Sequence, residues 1–155
     1  MTGVQTCALP ISSLQVEPRR CIEDASYVDE LLEWTKSHLD EEWAPLVYAT
    51  SPPNELARTQ GEFGADVVSE AIETTLAVLA SRLMELGVQN FIVAGGETSG
   101  RVVQSLGLGT FQIGPQIAPG VPWTKAVERN IYLALKSGNF GSEEFFLKAQ
   151  EFFYD

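Results

Sequence analysis

The fold of this chain is decided by the stretch Phe91-Ile92-Val93-Ala94-Gly95-Gly96-Glu97-Thr98-Ser99-Gly100. Its first four residues are apolar and include aromatic and β-branched side chains, which predicts a short strand buried on both faces. A glycine pair then ends the strand, and Val102, Val103 and Leu106 recur at helical spacing after it. The stretch therefore predicts a strand over 91–94, a tight turn, and a helix over about 97–106.

A turn of this kind places unpaired backbone N–H groups at the positive end of a helix dipole. Anions, and phosphates above all, bind at such helix ends. The spacing matches neither the Gly-x-Gly-x-x-Gly fingerprint nor the Walker pattern, because no lysine follows Gly100. From the pattern alone two interpretations stay open: an anion-binding turn, or a glycine turn that only connects a strand to a helix.

The beginning of the chain is expected to be foreign to the fold. Residues 1–11 look like the translation of a sequencing-library adapter, and Ser12 fits the same origin. The segment lacks the basic start and the long apolar run of a signal peptide. We therefore expect 1–12 to be a scar and 13–155 to be a single domain that is truncated at its N-terminus.

Charge and cysteine content exclude several classes of function. A net charge of −11 and an isoelectric point near 4.4 oppose binding to nucleic acid or to an anionic membrane surface. Any phosphate ligand must then be held by backbone amides, a metal ion or a few local cations. Beyond residue 12 the sequence has one cysteine, Cys21, so a disulfide framework is excluded. No run of residues approaches the roughly 18 apolar residues of a membrane span, and a cytoplasmic location is expected.

Strand and helix patterns alternate along the chain, which predicts an α/β fold. The expected architecture is a mostly parallel or mixed sheet flanked by helices, in a Rossmann-like layered domain. The predicted strands are 13–16, 45–50, 91–94, 121–127 and 130–135. The predicted helices are 24–41, 64–86, 97–106 and a last one that begins near Ser142. We expect 55–62 to be a polar, mobile loop and 115–122 to be a structured loop. The last helix is expected to bury Phe145, Phe146, Ala149, Phe152 and Phe153.

Three turns follow predicted strands and would lie where ligands bind open α/β sheets, beyond the carboxyl ends of the strands. Ser51 follows the strand at 45–50, Gly95 and Gly96 follow the strand at 91–94, and Gly138 follows the strand at 130–135. Three small-residue turns at one edge favour a nucleotide site more than one turn does. Each turn taken alone is equally well explained as an ordinary connection.

Three motifs, in this order, resemble the C-terminal nucleotide-binding domain of the four-carbon acid sugar kinases, whose best-known members are the 3-oxo-tetronate kinases. They are Gly95-Gly96-Glu97-Thr98-Ser99-Gly100, Ile113-Gly114-Pro115-Gln116-Ile117-Ala118-Pro119-Gly120-Val121-Pro122-Trp123, and Leu133-Ala134-Leu135-Lys136-Ser137-Gly138-Asn139-Phe140-Gly141. The resemblance covers nearly all of 13–155. It implies ATP-dependent phosphorylation of a hydroxyl of a four-carbon sugar acid, a tetronate or its 3-oxo form.

In that family an N-terminal domain binds the sugar acid and the C-terminal domain binds ATP. This chain lacks the N-terminal domain and the Gly-Ser loop with which the nucleotide domain opens in the family. The resemblance therefore implies that the fragment does not phosphorylate a substrate alone, and that the catalytic base lies in the missing domain. The apolar surface that a missing domain leaves exposed favours self-association into a homo-oligomer.

The resemblance implies the following ATP-binding residues: Ser51, Gly95, Gly96, Glu97, Thr98, Ser99, Gly138 and Asn139. Gly95 and Gly96 would let the backbone approach the phosphates, and the amides of Glu97 to Ser99 would donate to them. Glu97 would orient Mg²⁺ or its waters, or it is an acidic first-turn residue stabilised by the helix dipole. Lys136 would reach a phosphate, or it is a solvated lysine.

Other readings have less support. The stretch from Gly96 to Gly100 differs from the Gly-x-Ser-x-Gly pattern of a nucleophile elbow, because Ser99 is its fourth residue and the elbow serine is the third. The single histidine, His38, lies in an acidic helix and is expected at the surface. Trp123 would stack on adenine or belong to the core, and Cys21 is expected to be a half-buried thiol.

The main rival function is a non-catalytic module that binds a nucleotide or a sugar phosphate.

Overall fold

The computed structural model describes residues 10–138 and 144–153. Six strands and six helices occur in these residues. They are β1 (Ser13–Gln15), α1 (Pro18–Glu23), α2 (Tyr27–Ser37), β2 (Leu46–Tyr48), α3 (Pro53–Phe63), α4 (Ala65–Glu85), β3 (Asn90–Ala94), α5 (Gly96–Ser105), β4 (Phe111–Ala118), β5 (Val121–Ala126), β6 (Tyr132–Lys136) and α6 (Phe145–Glu151). The chain divides into two compact units, the first ending at Thr75 and the second beginning at Leu76.

The first unit contains a two-stranded parallel sheet. Strand β1 pairs with β2 in register from Ser13↔Leu46 to Gln15↔Tyr48. Helices α1, α2 and α3 belong to the same unit, and its buried apolar side chains include Tyr27 and Leu31 of α2. The Tyr27 hydroxyl accepts a hydrogen bond of 3.0 Å from the Glu17 amide, so this buried phenol has a polar partner.

The second unit contains a four-stranded mixed sheet in the order β3-β6-β5-β4. Strands β3 and β6 are parallel, whereas β5 is antiparallel to both β6 and β4. Its core is a cluster of buried side chains: Val121, Trp123, Ala134, Phe145 and Ala149. The Trp123 indole donates a hydrogen bond of 2.8 Å to the Ala149 carbonyl, which attaches α6 to the sheet. Trp123 is therefore a core residue, as one of its two interpretations predicted.

Several predictions from the sequence are confirmed. The fold class is α/β with parallel and mixed sheets and flanking helices. The strand, turn and helix predicted over 91–106 are β3, Gly95 and α5. The long helix predicted over 64–86 is α4, and Gly87, with a φ of 99°, follows its end. None of the described helices combines the length and apolar character that crossing a membrane requires.

The loop predicted over 55–62 is wrong, because these residues belong to helix α3. Pro53 stands in the first turn, where a missing N–H costs nothing. Thr59 is buried and Gly64, with a φ of 91°, ends the helix. Helix α1 is a further difference, because no helix was predicted between the strand at 13–16 and the helix at 24–41, and Pro18 begins one there.

Strand predictions need two corrections in the second unit. Strand β3 lies at one edge of its sheet, and only Phe91 is fully buried, so the expected burial on both faces is wrong. The loop expected over 115–122 is largely strand β4, which also lies at an edge. Pro115 fits there because an outer strand has positions that donate no ladder hydrogen bond, and the register shifts between Ile113 and Gln116.

Helix ends account for the remaining corrections. Helix α2 ends at Ser37 instead of 41, and Leu39, which lies inside the predicted range, is 39% exposed. Ser142, the predicted start of the last helix, lies outside the described residues. Helix α6 ends at Glu151, so Phe152 has left the helix and is 58% exposed instead of buried. Phe153 packs edge-on against Trp123 with ring centroids 5.1 Å apart.

Candidate functional site

The parallel pairing of β3 with β6 brings two glycine turns to the same edge of the sheet. The register runs from Asn90↔Tyr132 to Ala94↔Lys136, so both strands end at one level. The Gly95 amide then donates a hydrogen bond of 2.8 Å to the Lys136 carbonyl. The turn that begins at Gly95 and the turn that contains Gly138 therefore start from adjacent strand ends, as the sequence predicted.

Helix α5 begins directly at this edge and leaves three backbone donors without a described partner. Its first helical hydrogen bond runs from the Ser99 amide to the Gly95 carbonyl, at 2.9 Å. The prediction that the Ser99 amide donates to a ligand is therefore wrong. The amides of Gly96, Glu97 and Thr98 precede that bond, and they make no hydrogen bond with the described part of the chain.

The two glycines of the turn have different physical roles. Gly95 has a φ of 110°, a conformation that L side chains rarely adopt, so the backbone itself requires glycine. Gly96 begins α5 without a positive φ, and no heavy atom of the described chain lies within 4 Å of where its Cβ would be. Nothing in the packing around Gly96 explains the missing side chain. The open space beside it is compatible with close approach of a ligand.

Three side chains of this turn, Glu97, Thr98 and Ser99, were predicted as ligand contacts, and Thr98 is half-buried. The Ser99 hydroxyl is buried and has no hydrogen-bond partner among the residues the structure describes. Ser99 is 8% exposed and lies on the inner stripe of α5 with Val102, which is 2% exposed. Glu97 is exposed in the first turn of the helix, where its charge interacts favourably with the dipole. Among the described residues, the start of α5 thus combines three amides and one buried hydroxyl that lack partners with one exposed carboxylate.

Lys136 makes a local contact that neither of its two interpretations included. Its ammonium donates a hydrogen bond of 2.8 Å to the Gly138 carbonyl and lies 5.9 Å from the centroid of the Phe145 ring. Gly138 has a φ of 48°, which places it in the left-handed region. The sequence singled out Lys136 as a charge, but its bond to the second turn depends on the fold.

Two predicted residues are not joined to this turn by the structure. Ser51 belongs to the first unit, where its hydroxyl lies 3.4 Å from both the Gln15 amide nitrogen and the Ala49 carbonyl. Asn139 lies outside the described residues. In the described ranges no group of three or more His, Cys, Asp or Glu side chains has the arrangement of a metal site.

A cavity of about 320 Å³ lies in the first unit, following the carboxyl ends of β1 and β2. It contains none of the residues predicted from the sequence as ligand contacts. Its lining is formed by Glu17, Pro18, Arg19, Asn54, Glu55, Arg58 and Thr59. Arg19 is occupied by ion pairs with Glu23 and Glu62, so this cleft is a balanced polar surface and we do not assign it to the nucleotide.

The two remaining candidates from the sequence are structural residues. His38 is half-buried rather than freely exposed, and its ring stacks on Trp34 with centroids 4.2 Å apart. Cys21 is half-buried, as predicted, and burial raises the pKa of its thiol.

Comparison with known proteins identifies the family. A family model described as the nucleotide-binding C-terminal domain matches residues 1–146. A protein of Actinobacillus succinogenes named 3-oxo-tetronate kinase is 58% identical over 139 residues, which are 90% of this chain and 34% of that protein. The chain belongs to the four-carbon acid sugar kinase family. Within that family it corresponds to the nucleotide-binding C-terminal domain.

Two further comparisons agree with this membership of the four-carbon acid sugar kinases. The Haemophilus influenzae protein named 3-oxo-tetronate kinase is 55% identical over 139 residues, which are 90% of this chain and 34% of that protein. A crystal structure of a Haemophilus influenzae protein matches with a TM-score of 0.91 and 52% identity, covering 97% of this chain and 37% of that one. The chain therefore spans about a third of the length of the curated relatives it matches.

Proposed function

We propose that this chain is the ATP-binding domain of a kinase that phosphorylates a hydroxyl of a four-carbon sugar acid, 3-oxo-tetronate or a tetronate. The observation that carries the proposal is the start of α5, where three amides lack described partners beside a glycine that the fold does not require. The names of the relatives support the choice of substrate.

The phosphates would be held by the backbone. The amides of Gly96, Glu97 and Thr98 stand at the positive end of the α5 dipole, and Gly96 leaves open space in front of them. This arrangement suits a chain with a net charge of −11, because backbone donors attract phosphate without a general positive field. The Ser99 hydroxyl is available as a further donor, since burial without a partner leaves it unsatisfied.

The fit of Mg²⁺ depends on Glu97. A magnesium ion in a nucleotide site takes one or two carboxylates and completes its shell with phosphate oxygens and water. One exposed carboxylate in the first turn of α5 meets that requirement without a cluster of protein ligands. When bound, the ion would neutralise phosphate charge, and the role of Glu97 would be to orient the ion or its waters.

We assign the sugar acid and the catalytic base to the two thirds of such a kinase that this chain does not span. The chain alone is therefore expected to bind ATP without transferring phosphate. A cytoplasmic location, consistent with its lone cysteine after residue 12, stays a prediction.

The test is titration calorimetry of the whole chain with ATP, with and without Mg²⁺, on wild type and Gly96→Val. A Cβ at this position meets no heavy atom of the described chain within 4 Å, and we expect the valine side chain to hinder the approach of phosphate to the amides of α5. We expect Mg²⁺-dependent binding by wild type and a loss of at least about 100-fold in affinity for Gly96→Val, with the circular dichroism spectrum unchanged.

The matched control is Gly61→Val in α3, because Gly61 also has open space and no positive φ. This variant should bind ATP as wild type does. Equal affinity of Gly96→Val and wild type would contradict the assignment of the site. Binding of a sugar phosphate but not of ATP would favour a non-catalytic module instead.

A further inference from the structure

We propose that Lys136 is a positioning residue that joins the two glycine turns of the site and holds Gly138 in place. The inference rests on the proposed function, because it concerns how the nucleotide site is kept in shape. It assigns to Lys136 a role that is distinct from both a phosphate contact and a solvated surface charge.

The backbone of Lys136 supports the first turn. Lys136 is the last residue of β6 and is paired with Ala94, the last residue of β3. Its carbonyl accepts the hydrogen bond of 2.8 Å from the Gly95 amide. The position of Gly95, and with it the start of α5, therefore depends on where the chain of Lys136 lies.

The side chain of Lys136 supports the second turn. Its ammonium donates to the Gly138 carbonyl at 2.8 Å, two residues further along the chain. Gly138 adopts a φ of 48°, in the left-handed region, and the charged donor fixes the direction of its carbonyl. One residue thus contacts both turns, the first through its backbone and the second through its ammonium.

The surroundings of the side chain explain why the ammonium stays in this place. Lys136 is half-buried, and its ammonium lies 5.9 Å from the centroid of the Phe145 ring. Phe145 is 2% exposed and belongs to the core cluster with Trp123, so the ring is a fixed surface. A cation within about 6 Å of an aromatic face is attracted to it. The ring contact thus adds to the hydrogen bond that holds the ammonium beside the Gly138 carbonyl.

Lys125 provides a matched control in the same sheet. It is also a half-buried strand lysine beside a ring, with its ammonium 5.5 Å from the centroid of Tyr132. It pairs with Tyr132, at the end of β6 opposite to Lys136. Replacing Lys125 therefore removes the same charge and a similar ring contact but leaves the glycine turns untouched.

The experiment compares wild type, Lys136→Met, Lys136→Arg and Lys125→Met by calorimetric titration with MgATP and with MgADP. Loss of a charge-assisted hydrogen bond to the turn should weaken both nucleotides about tenfold in Lys136→Met. Arginine restores a charged donor, so Lys136→Arg should lie within about threefold of wild type, as should Lys125→Met. The thermal midpoints should stay close to that of wild type.

Two results would overturn the proposal. Unchanged affinity of Lys136→Met for both nucleotides would show that the ammonium does not hold the site. A loss that is much larger for ATP than for ADP would show direct contact with the terminal phosphate, because a turn held in place serves both nucleotides alike.

A second readout separates this proposal from the proposed function. The ¹³C chemical shift of the Gly138 carbonyl is measured by nuclear magnetic resonance without nucleotide, in the same four proteins. We expect it to move in Lys136→Met, to return towards wild type in Lys136→Arg, and to stay unchanged in Lys125→Met. If wild type binds no nucleotide, the proposed function fails, and an unmoved Gly138 shift in Lys136→Met then overturns the positioning role as well.

Discussion

At the scale of single residues, the buried hydroxyl of Ser99 offers a test of the proposed ligand site. A buried hydroxyl without a partner costs about 1–3 kcal/mol, and Ser99 is in this position among the described residues. Thr35 is the contrasting case, because its buried hydroxyl donates a hydrogen bond of 2.7 Å to the Leu31 carbonyl. Stability lost at Ser99 is thus available to be regained on binding.

We therefore predict that Ser99→Ala leaves the free energy of unfolding of the ligand-free chain unchanged or raises it by up to about 1 kcal/mol. Thr35→Val, which removes a satisfied hydroxyl, should lower it by about 1 kcal/mol. Urea unfolding followed by circular dichroism measures both. A loss of more than about 1 kcal/mol in Ser99→Ala would mean that the hydroxyl already has a partner without ligand.

Helix α3 shows at the scale of an element how a glycine can be either neutral or required. Gly61 lies near the end of the helix and is exposed, and no heavy atom of the described chain lies within 4 Å of where its Cβ would be. Gly64 follows the helix with a φ of 91°, which an alanine adopts only with strain. The two positions lie on the same short stretch of chain but have opposite backbone requirements.

The expected results are an increase of about 0.4–1 kcal/mol in unfolding free energy for Gly61→Ala and a decrease of about 1 kcal/mol or more for Gly64→Ala. The first substitution reduces the entropy of the unfolded chain, whereas the second forces a strained φ. Urea denaturation of the two variants and wild type gives the comparison. Stabilisation by Gly64→Ala would refute the position of the helix end.

The same element shows why the sequence left part of the fold open. Residues 53–63 are mostly polar and begin with a proline, which is typical of a loop, although they form α3. Pro115 likewise made residues of strand β4 look like a loop in the sequence. Local composition does not reveal that a proline stands in the first turn of a helix or on the edge of a sheet, because both placements depend on neighbours distant in sequence.

At the scale of the whole molecule, the ion pairs around Arg20 contribute to the response of the fold to acid. Arg20 bonds both Glu30 and Asp24, at 2.7 and 2.9 Å. The pKa of Glu30 is lowered chiefly by its hydrogen bond to Arg20, and that of Asp24 by hydrogen bonds from Ser26 and then Arg20. Groups with a lowered folded pKa stabilise the fold above their unfolded pKa values, roughly pH 4.

This contribution is lost as the pH falls through the lower folded pKa values, so the thermal midpoint of wild type should drop between about pH 5 and pH 3. Arg20→Met should give a shallower drop in the same window, because its carboxylates keep pKa values closer to the unfolded ones. Midpoints from circular dichroism at about pH 6, 5, 4 and 3 test this.

The control is Glu30→Gln, which removes one of the two carboxylates that bond Arg20. It should also make the drop of the thermal midpoint in acid shallower. Relief of charge repulsion on protonation, expected for a net charge of −11, acts on all these proteins in nearly the same way. Parallel pH curves for wild type and Arg20→Met would show that these ion pairs do not contribute.

The sequence by itself determined the α/β class, the strand, turn and helix at 91–106, the long helix α4, and the motifs that resemble the four-carbon acid sugar kinases. These features are local: apolar periodicity, a glycine pair and short motifs are complete within a few residues. They also indicated Gly95 and Gly138 as members of one site.

Only the tertiary structure decided which groups of that site are free. The pairing of β3 with β6 joins residues about forty positions apart and engages the Gly95 amide with Lys136, whereas the Gly96, Glu97 and Thr98 amides have no hydrogen-bond partner within 10–138 and 144–153. The burial of Ser99 beside Val102 on α5 and the attachment of α6 to the sheet through Trp123 are also tertiary features. Burial and hydrogen-bond partners depend on contacts between distant segments, and local periodicity does not specify those contacts.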